Sequence, residues 1–530
     1  MRLLLIMGLL VLLPSSSFFL PPYLSQLLLA GQYSRAQLDY AVKAELPVAW
    51  QLKLAEVGYG SAAWRRLNEK LAKTRGSAAV DLARYYQEQS RKHLQQGAEE
   101  QDHRHRAIFW YHQGIKHASV QARLGLAQLY FDNNQLLLAQ ETADKELGFT
   151  LLSTSSPAPE HALLQLAVQA AIALGDMDYL KRHLPLLELS TAGRELLADI
   201  HRYGVLDSWG EGNAQERGYG MANPHAVNKP VVASCTASIQ LFATRLEHLH
   251  YLEQLTHGVE SGPLAPFICF APVRYRAVDT LACRENQVSE SKYRVNKRRA
   301  IKCREEIWQY DAGAITSRFV GVLLPQGGAN VHLGILYIDR QDNLDVFTHE
   351  LSHLLGFVDE YPLPAHHNRC SEVQQSPFAH NLVVLAEFYQ GKRSALRAQV
   401  LKQLPWAAQI REDTPIFQAQ GNGWQLGTPD EYAKRVGVFP AASCDRQKPQ
   451  AFKPLSKRTK LAYYEEGFPD AYLKRLSAGP GAFLMPSFHY NIALALFHRG
   501  EIKQAKFWLG QAALWESSPA RKAKIIMGDF

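Results

Sequence analysis

The stretch "HELSHLLGFVDEY", residues 349–361, has the residue types and spacing that metal-assisted hydrolysis needs. At 3.6 residues per turn, His349 and His353 lie one helical turn apart on the same face. Leu344, Phe347, Leu351, Leu354 and Leu355 then gather on the opposite face. Such a helix buries its back while both imidazoles look into a cleft. Glu350 sits beside the histidines, placed to reach a water at the metal and not the metal itself. Gly356 follows, where a helix can end in a left-handed residue that glycine adopts at little cost. The chain can then turn back and bring Asp359 to the histidines, with Glu360 as the alternative third ligand. Two imidazoles and one carboxylate make a zinc site whose fourth position stays open, whereas a structural zinc is closed by four protein ligands. The implied chemistry is hydrolysis by water activated at zinc, with Glu350 as general base.

Elements with three different textures must position these residues. A chain of 530 residues is too long for one core, and 47% hydrophobic with 20% charged residues is the composition of a globular protein. Residues 35–205 read as helix after helix, with "AAVDLARYYQ" (78–87) and "ARLGLAQLYF" (122–131) alike and a fainter copy at 161–176. Residues 206–230, rich in Gly, Asn and Pro, read as a linker. Beyond them short β-branched runs in "PVVASCTASIQLFA", "PFICFAPVRYRAV" and "AITSRFVGVLLPQGGANVHLGILYIDR" read as strands of a mixed α and β domain over 231–490. A helical pattern returns over 491–530. The expected fold is therefore multidomain, with α-α hairpins before an α+β hydrolase domain and a helical C-terminal tail.

Two resemblances sharpen this. The helical region resembles Sel1-like or tetratricopeptide repeats through Leu82-Ala83, Tyr86, Ala107, Trp110-Tyr111, Leu126-Ala127 and Tyr130; the alternative is an irregular helical bundle. "HELSHLLGFVDEY" resembles the metzincin pattern of zinc peptidases with aspartate in place of the third histidine. Together with the later "YYEEGFPDAYLKRLSAGPGAFLMPS", it is similar to the IgA-peptidase-type family. There the Asp-Glu-Tyr lies one residue further along. This resemblance implies peptide-bond hydrolysis, a Met-turn at Met485 and an edge strand in "GGANVHLGILYI" for an extended substrate. His366, His367, Glu465 and Glu466 are secondary candidates for the metal, and Tyr490 is one for the oxyanion. The expected partners are a protein or peptide substrate and a protein partner on the helical repeats. Two rival readings are a helical scaffold with a non-catalytic peptidase-like domain and a zinc hydrolase acting on cell-wall peptides.

The chain reads as exported. "MRLLLIMGLLVLLP" suits a signal peptide over residues 1–22, or an N-terminal membrane anchor if it is not cleaved. All six cysteines lie between Cys235 and Cys444 and no Cys-x-x-Cys occurs, which points to disulfides, with free thiols as the alternative. Cys370 is expected to pair with Cys444, tying two loops near the cleft, and the other four cysteines among themselves. The net charge of +8 peaks in "KYRVNKRRAIKCR" (292–304), read as a solvated basic face and not a nucleic-acid site.

Overall fold

Ser34, Ser61 and Ser119 each accept a hydrogen bond from a first-turn amide, and these caps set the starts of three N-terminal helices. The computed structural model describes residues 19–92, 98–145, 153–154, 158–206, 235–277, 281–285, 301–325, 327–364, 366–445 and 448–529. Residues 207–230 of the expected linker, most of the signal segment and residues 292–300 of the basic run lie outside the described residues. The chain divides into two compact units, Met1–Leu197 and Ala198–Phe530.

The first unit is built of helices: α1 (19–29), α2 (Arg35–Lys43), α3 (Pro47–Glu56), α4 (Ala62–Leu71), α5 (Gly76–Lys92), α6 (Ala98–Lys116), α7 (Val120–Asp132), α8 (Leu136–Asp144), α9 (Ala158–Leu174), α10 (Met177–Leu187) and the start of α11 (Thr191–Arg202). Within it α5 packs on α6, α7 on α8 and α9 on α10. The first helices of successive pairs also touch, α5 on α7 and α7 on α9. Small residues allow this close stacking: Ala79, Ala83, Ala107 and Ala122 are fully buried beside Leu82, Tyr111 and Leu126.

The division between units falls inside α11. Residues 199–203 therefore belong to the second unit, where Arg202 and the Tyr203 hydroxyl both bond Glu253, and His250 meets Asp199. Its main sheet comprises β1 (Ala237–Ala243), β2 (Ile268–Phe270), β3 (Arg274–Tyr275), β6 (Phe319–Leu324), β7 (Asn330–His332) and β8 (Ile335–Asp339). The short pair β4 (Arg284–Glu285) and β5 (Ile301–Lys302) lies between them in the chain. The sheet order is β2-β1-β6-β8-β7, with β3 also on β1; only β7 runs antiparallel to its neighbour. β6 and β8 are buried at every position, as parallel strands covered on both faces must be. α12 (Leu246–Glu260) packs on β1, and α13 (Leu344–Leu354) on β7 and β8. α16 (Phe488–His498) and α17 (Ile502–Ala513) supply Phe488, Ile492, Leu496 and Trp508 to a core shared with Val320, Val322 and Tyr337 of the sheet. β9 (Val383–Leu385), β10 (Phe388–Tyr389), α14 (Arg393–Leu401), β11 (Phe417–Gln420), β12 (Gly423–Leu426), β13 (Phe439–Pro440), β14 (Gln450–Lys453) and α15 (Asp470–Ala478) fill the stretch after α13. The runs read as strands in the sequence are β1, β2, β3, β6, β7 and β8.

The C-terminal tail grips the loop before α16. Arg318, at the foot of β6, donates to the Met485 carbonyl at 2.7 Å, to the Trp515 carbonyl at 2.5 Å and to Glu516 at 2.5 Å. Arg521 of α18 (Pro519–Met527) donates to the other Glu516 oxygen at 2.6 Å and to the Leu484 carbonyl. Arg318 and Glu516 are buried, so removing Glu516 leaves two arginine charges without their shared carboxylate. Glu516→Ala should lower stability by about 3–5 kcal/mol in urea unfolding. A loss below about 1 kcal/mol, the size of an exposed ion pair, would show that the clamp carries little of the fold.

The cysteines pair as Cys235–Cys269, Cys283–Cys303 and Cys370–Cys444, with no free thiol among the described residues. Three disulfides fit an exported protein of an oxidising compartment. Among the described residues no helix is long and apolar enough to cross a membrane. Cys370 and Cys444 close a loop with a sequence separation of 74 and are themselves buried. Replacing both with alanine should cost about 4 kcal/mol of stability by the loop-entropy argument, read from the shift in urea midpoint.

Candidate metal centre

Asn343 starts α13 by accepting from the amides of Asp345 and Val346, both at 3.1 Å. Phe347, Leu351, Leu354 and Leu355 are buried behind the helix as expected. Leu344 departs from that reading: it is 40% exposed, because at the first turn its side chain reaches sideways over Gly258 of α12. The helix ends where Gly356 adopts φ +91°, and a Cβ there would stand 2.3 Å from the Phe483 carbonyl. That same loop reaches the helix end again, where the Met485 amide donates to the Leu354 carbonyl at 3.0 Å. Met485 thus lies under the end of α13, held from outside by Arg318.

His349, Glu350 and His353 place one ligand atom each within 4.8 Å of one another. Their arrangement is fixed by bonds on the far side of each ring. His349 Nδ1 lies 2.8 Å from the Lys460 carbonyl, and His353 Nδ1 lies 3.0 Å from the Phe357 carbonyl. A carbonyl only accepts, so each Nδ1 carries the proton and each Nε2 presents a lone pair. The two Nε2 atoms are 3.1 Å apart, and Asp359 Oδ1 is 3.2 Å from both. Three atoms that can each offer a lone pair to a cation therefore converge on one point, and Asp359 Oδ1 is buried there. Such a donor set fits a divalent cation of zinc type.

In the metal-free protein a proton takes the cation's place. Burial alone would lower the pKa of His353, but the Asp359 carboxylate overrides it and raises it to about 9. Burial would likewise raise Asp359, and the charge on His353 instead holds it well below the usual carboxylate range. A raised histidine stabilises the metal-free fold fully below its unfolded value near 6.5, and that contribution is lost as pH rises through about 9. A metal ion bound here would have to displace this proton. Calorimetric titration with zinc at pH 7.5, in two buffers of different ionisation heat, should show close to one proton released per ion bound. Release of none would mean that His353 is already neutral.

Glu350 is buried, and burial raises its pKa against the lowering effect of the two imidazoles. The neighbouring Glu360 faces elsewhere. Its carboxylate accepts from Asn381 at 2.9 Å, Lys453 at 2.9 Å, Thr459 at 2.8 Å and the Tyr472 hydroxyl. Four donors leave it no role at the cluster, so of the two alternatives Asp359 is the residue beside the histidines. His367 Nδ1 accepts from the Arg369 amide, His366 is exposed, and Glu465 and Glu466 are exposed; none joins the cluster. Tyr490 is buried in a cluster with Ala512, Ala513 and Ile525, because α17 and α18 cover it, and this corrects its candidacy for the oxyanion. The tyrosines at the site are Tyr464, edge-on to His349 at 4.7 Å between ring centroids, and Tyr361, parallel to it at 6.5 Å. Burial, with the charges of Asp359 and Glu350, holds the Tyr361 hydroxyl protonated. Both tyrosines stand in stretches the sequence had already singled out, but nothing local distinguished them from packed aromatics.

β7 is the outer strand of the sheet. Part of it is already engaged: the Asn330 amide bonds both main-chain groups of Ile301, and the His332 carbonyl accepts from Asn491. Comparisons of the chain with protein-family models, curated proteins and solved structures find no match.

Proposed function

We propose that this chain is an exported zinc-dependent metallopeptidase of metzincin-like type, with His349, His353 and Asp359 as metal ligands and Glu350 as general base. The observation that carries the reading is the convergence of two imidazole Nε2 atoms and one buried carboxylate oxygen on a single point. Zinc bound there would supply Lewis acidity and a water whose pKa falls towards about 7. The Lys460 and Phe357 carbonyls fix the tautomer of both imidazoles, so the ligand atoms are pre-aimed. Glu350 takes a proton from water and returns it to the leaving amine. Its burial raises its pKa and so strengthens it as a base. Tyr361 keeps its proton and can offer it as a hydrogen bond within the same cleft.

The test is metal content by mass spectrometry together with degradation of a panel of denatured proteins. One zinc per chain is expected, with cleavage abolished by a chelator and restored by added zinc. Stoichiometric zinc without cleavage of any member would favour a non-catalytic domain, and cleavage confined to peptide crosslinks of a cell wall would move the substrate class.

A further inference from the structure

Beside the cluster of His349, Glu350, His353 and Asp359 stands a guanidinium that the fold does not use. It belongs to the loop between Asp359 and Cys370, which is tied down at both ends. The Ser443 hydroxyl donates to the Asp359 carbonyl at 2.8 Å, and the Ser443 carbonyl accepts from the Leu363 amide at 3.0 Å. At the far end Cys370 is bonded to Cys444, the chain neighbour of Ser443. Val358, Leu363, Cys370, Phe378 and Cys444 pack into one small core. That core therefore holds the loop against the segment that carries Asp359.

Arg369 is the arginine of this loop. Its amide donates to His367 Nδ1 at 3.2 Å, within the turn Asn368–Cys370, which places its backbone. Its guanidinium lies over the Phe378 ring, 5.8 Å from the centroid, which places its side chain. Among the described residues that guanidinium makes no ion pair and no hydrogen bond. Arg369 as a residue is open to solvent. Enough protein surrounds the guanidinium, however, that burial lowers its pKa, and the Asp359 carboxylate acts against that. Arg369 thus feels the charge of the cluster without bonding to it.

A guanidinium presents parallel N–H donors that match the two oxygens of a carboxylate. With a divalent cation at the cluster, Asp359 and Glu350 balance its charge, and Arg369 remains as surplus positive charge. A carboxylate is the group that such a site lacks. We propose that Arg369 selects substrates carrying a carboxylate close to the scissile bond and binds it through its guanidinium. This rests on the peptidase reading and adds to it the class of substrate. An acidic side chain and a free C-terminus both supply the group.

The test uses the full chain as Glu350→Gln in the presence of zinc, so that bound peptides stay intact. Three fluorescein-labelled octapeptide pools of otherwise neutral residues are titrated by anisotropy. The first carries one glutamate and an amidated C-terminus. The second has glutamine in its place, and the third has that glutamine with a free C-terminal carboxylate. The first or third pool should bind at least about fivefold more tightly than the second, as a charge-assisted bond implies. The tighter of these two tells whether the carboxylate is on a side chain or terminal. Arg369→Gln should abolish the preference and leave the second pool's affinity unchanged. Arg369→Lys, which keeps the charge and not the fork, should retain part of it. The position is exposed, so both variants fold, and matching thermal melts check it. With Glu350 in place, Arg369→Gln should raise KM for glutamate peptides and leave kcat near the parent value. Equal binding of all pools, no saturable binding, or a preference that survives Arg369→Gln overturns the proposal. Cleavage of the second pool by the active chain would in that case leave the peptidase reading standing. A carboxylate preference without zinc or cleavage would remove the peptidase reading and keep Arg369 as a carboxylate site.

Discussion

Replacing Glu350 with glutamine should lower peptide hydrolysis by about 10²–10⁴-fold and leave zinc content unchanged. The amide keeps the shape of the carboxylate but cannot accept a proton, so the base is lost without a cavity. Metal is retained because the atoms that converge most closely are His349 Nε2, His353 Nε2 and Asp359 Oδ1. Glutamine also removes a buried carboxylate that burial already disfavours, so the variant should be at least as stable as the parent. The three measurements are the rate on a denatured protein, zinc per chain and the urea midpoint. A fully active variant would remove Glu350 from the mechanism. A variant that loses zinc along with activity would make Glu350 a ligand and displace Asp359 from the proposed set.

The sequence disclosed most where chemistry and periodicity coincide. His349 and His353 share a helix face by arithmetic alone, and the apolar back of α13 follows from the same spacing. Gly356 was legible because a left-handed helix end favours glycine. Pairing of Cys370 with Cys444 was legible because the stretches that hold them flank the site. What stayed hidden are the interactions between residues distant in sequence. The Lys460 carbonyl that sets the tautomer of His349 is 111 residues away, and a carbonyl carries no residue type to read. Tyr490 stands close after the Met485 loop, yet α17 and α18 bury it elsewhere, and local sequence does not carry that packing. Arg318 and Glu516 were two charges among many until the fold placed them 2.5 Å apart. The first unit shows the same division. Its buried alanines could be read from helical spacing, but the glutamines of α7 and α9 face one cavity only because the hairpins stack in register.

Asp359 and Glu360 are adjacent carboxylates whose removal should have opposite signatures. Asp359→Ala takes away one of three converging atoms, so zinc affinity should fall by more than about 100-fold, beyond the roughly 10–100-fold seen when only supporting groups change. Its effect on the metal-free fold should be smaller. His353 loses the charge that raised its pKa and reverts to a neutral ring that burial favours. Glu360→Ala acts elsewhere. It leaves Lys453 as a buried cation with only the Lys457 carbonyl, and strips the Asn381 amide, Thr459 and Tyr472 of an acceptor. Breaking a buried pair from one side costs about 3–5 kcal/mol, so this variant should unfold at markedly lower urea. Whatever remains folded should still bind zinc, since Glu360 touches none of the converging atoms. Competition against a chelating dye gives the affinities, and urea unfolding of the metal-free forms gives the stabilities. If Glu360→Ala instead lost zinc while keeping its midpoint, the ligand would be Glu360. The loop after Gly356 would then adopt a register one residue further along, with Asp359 released from the histidines.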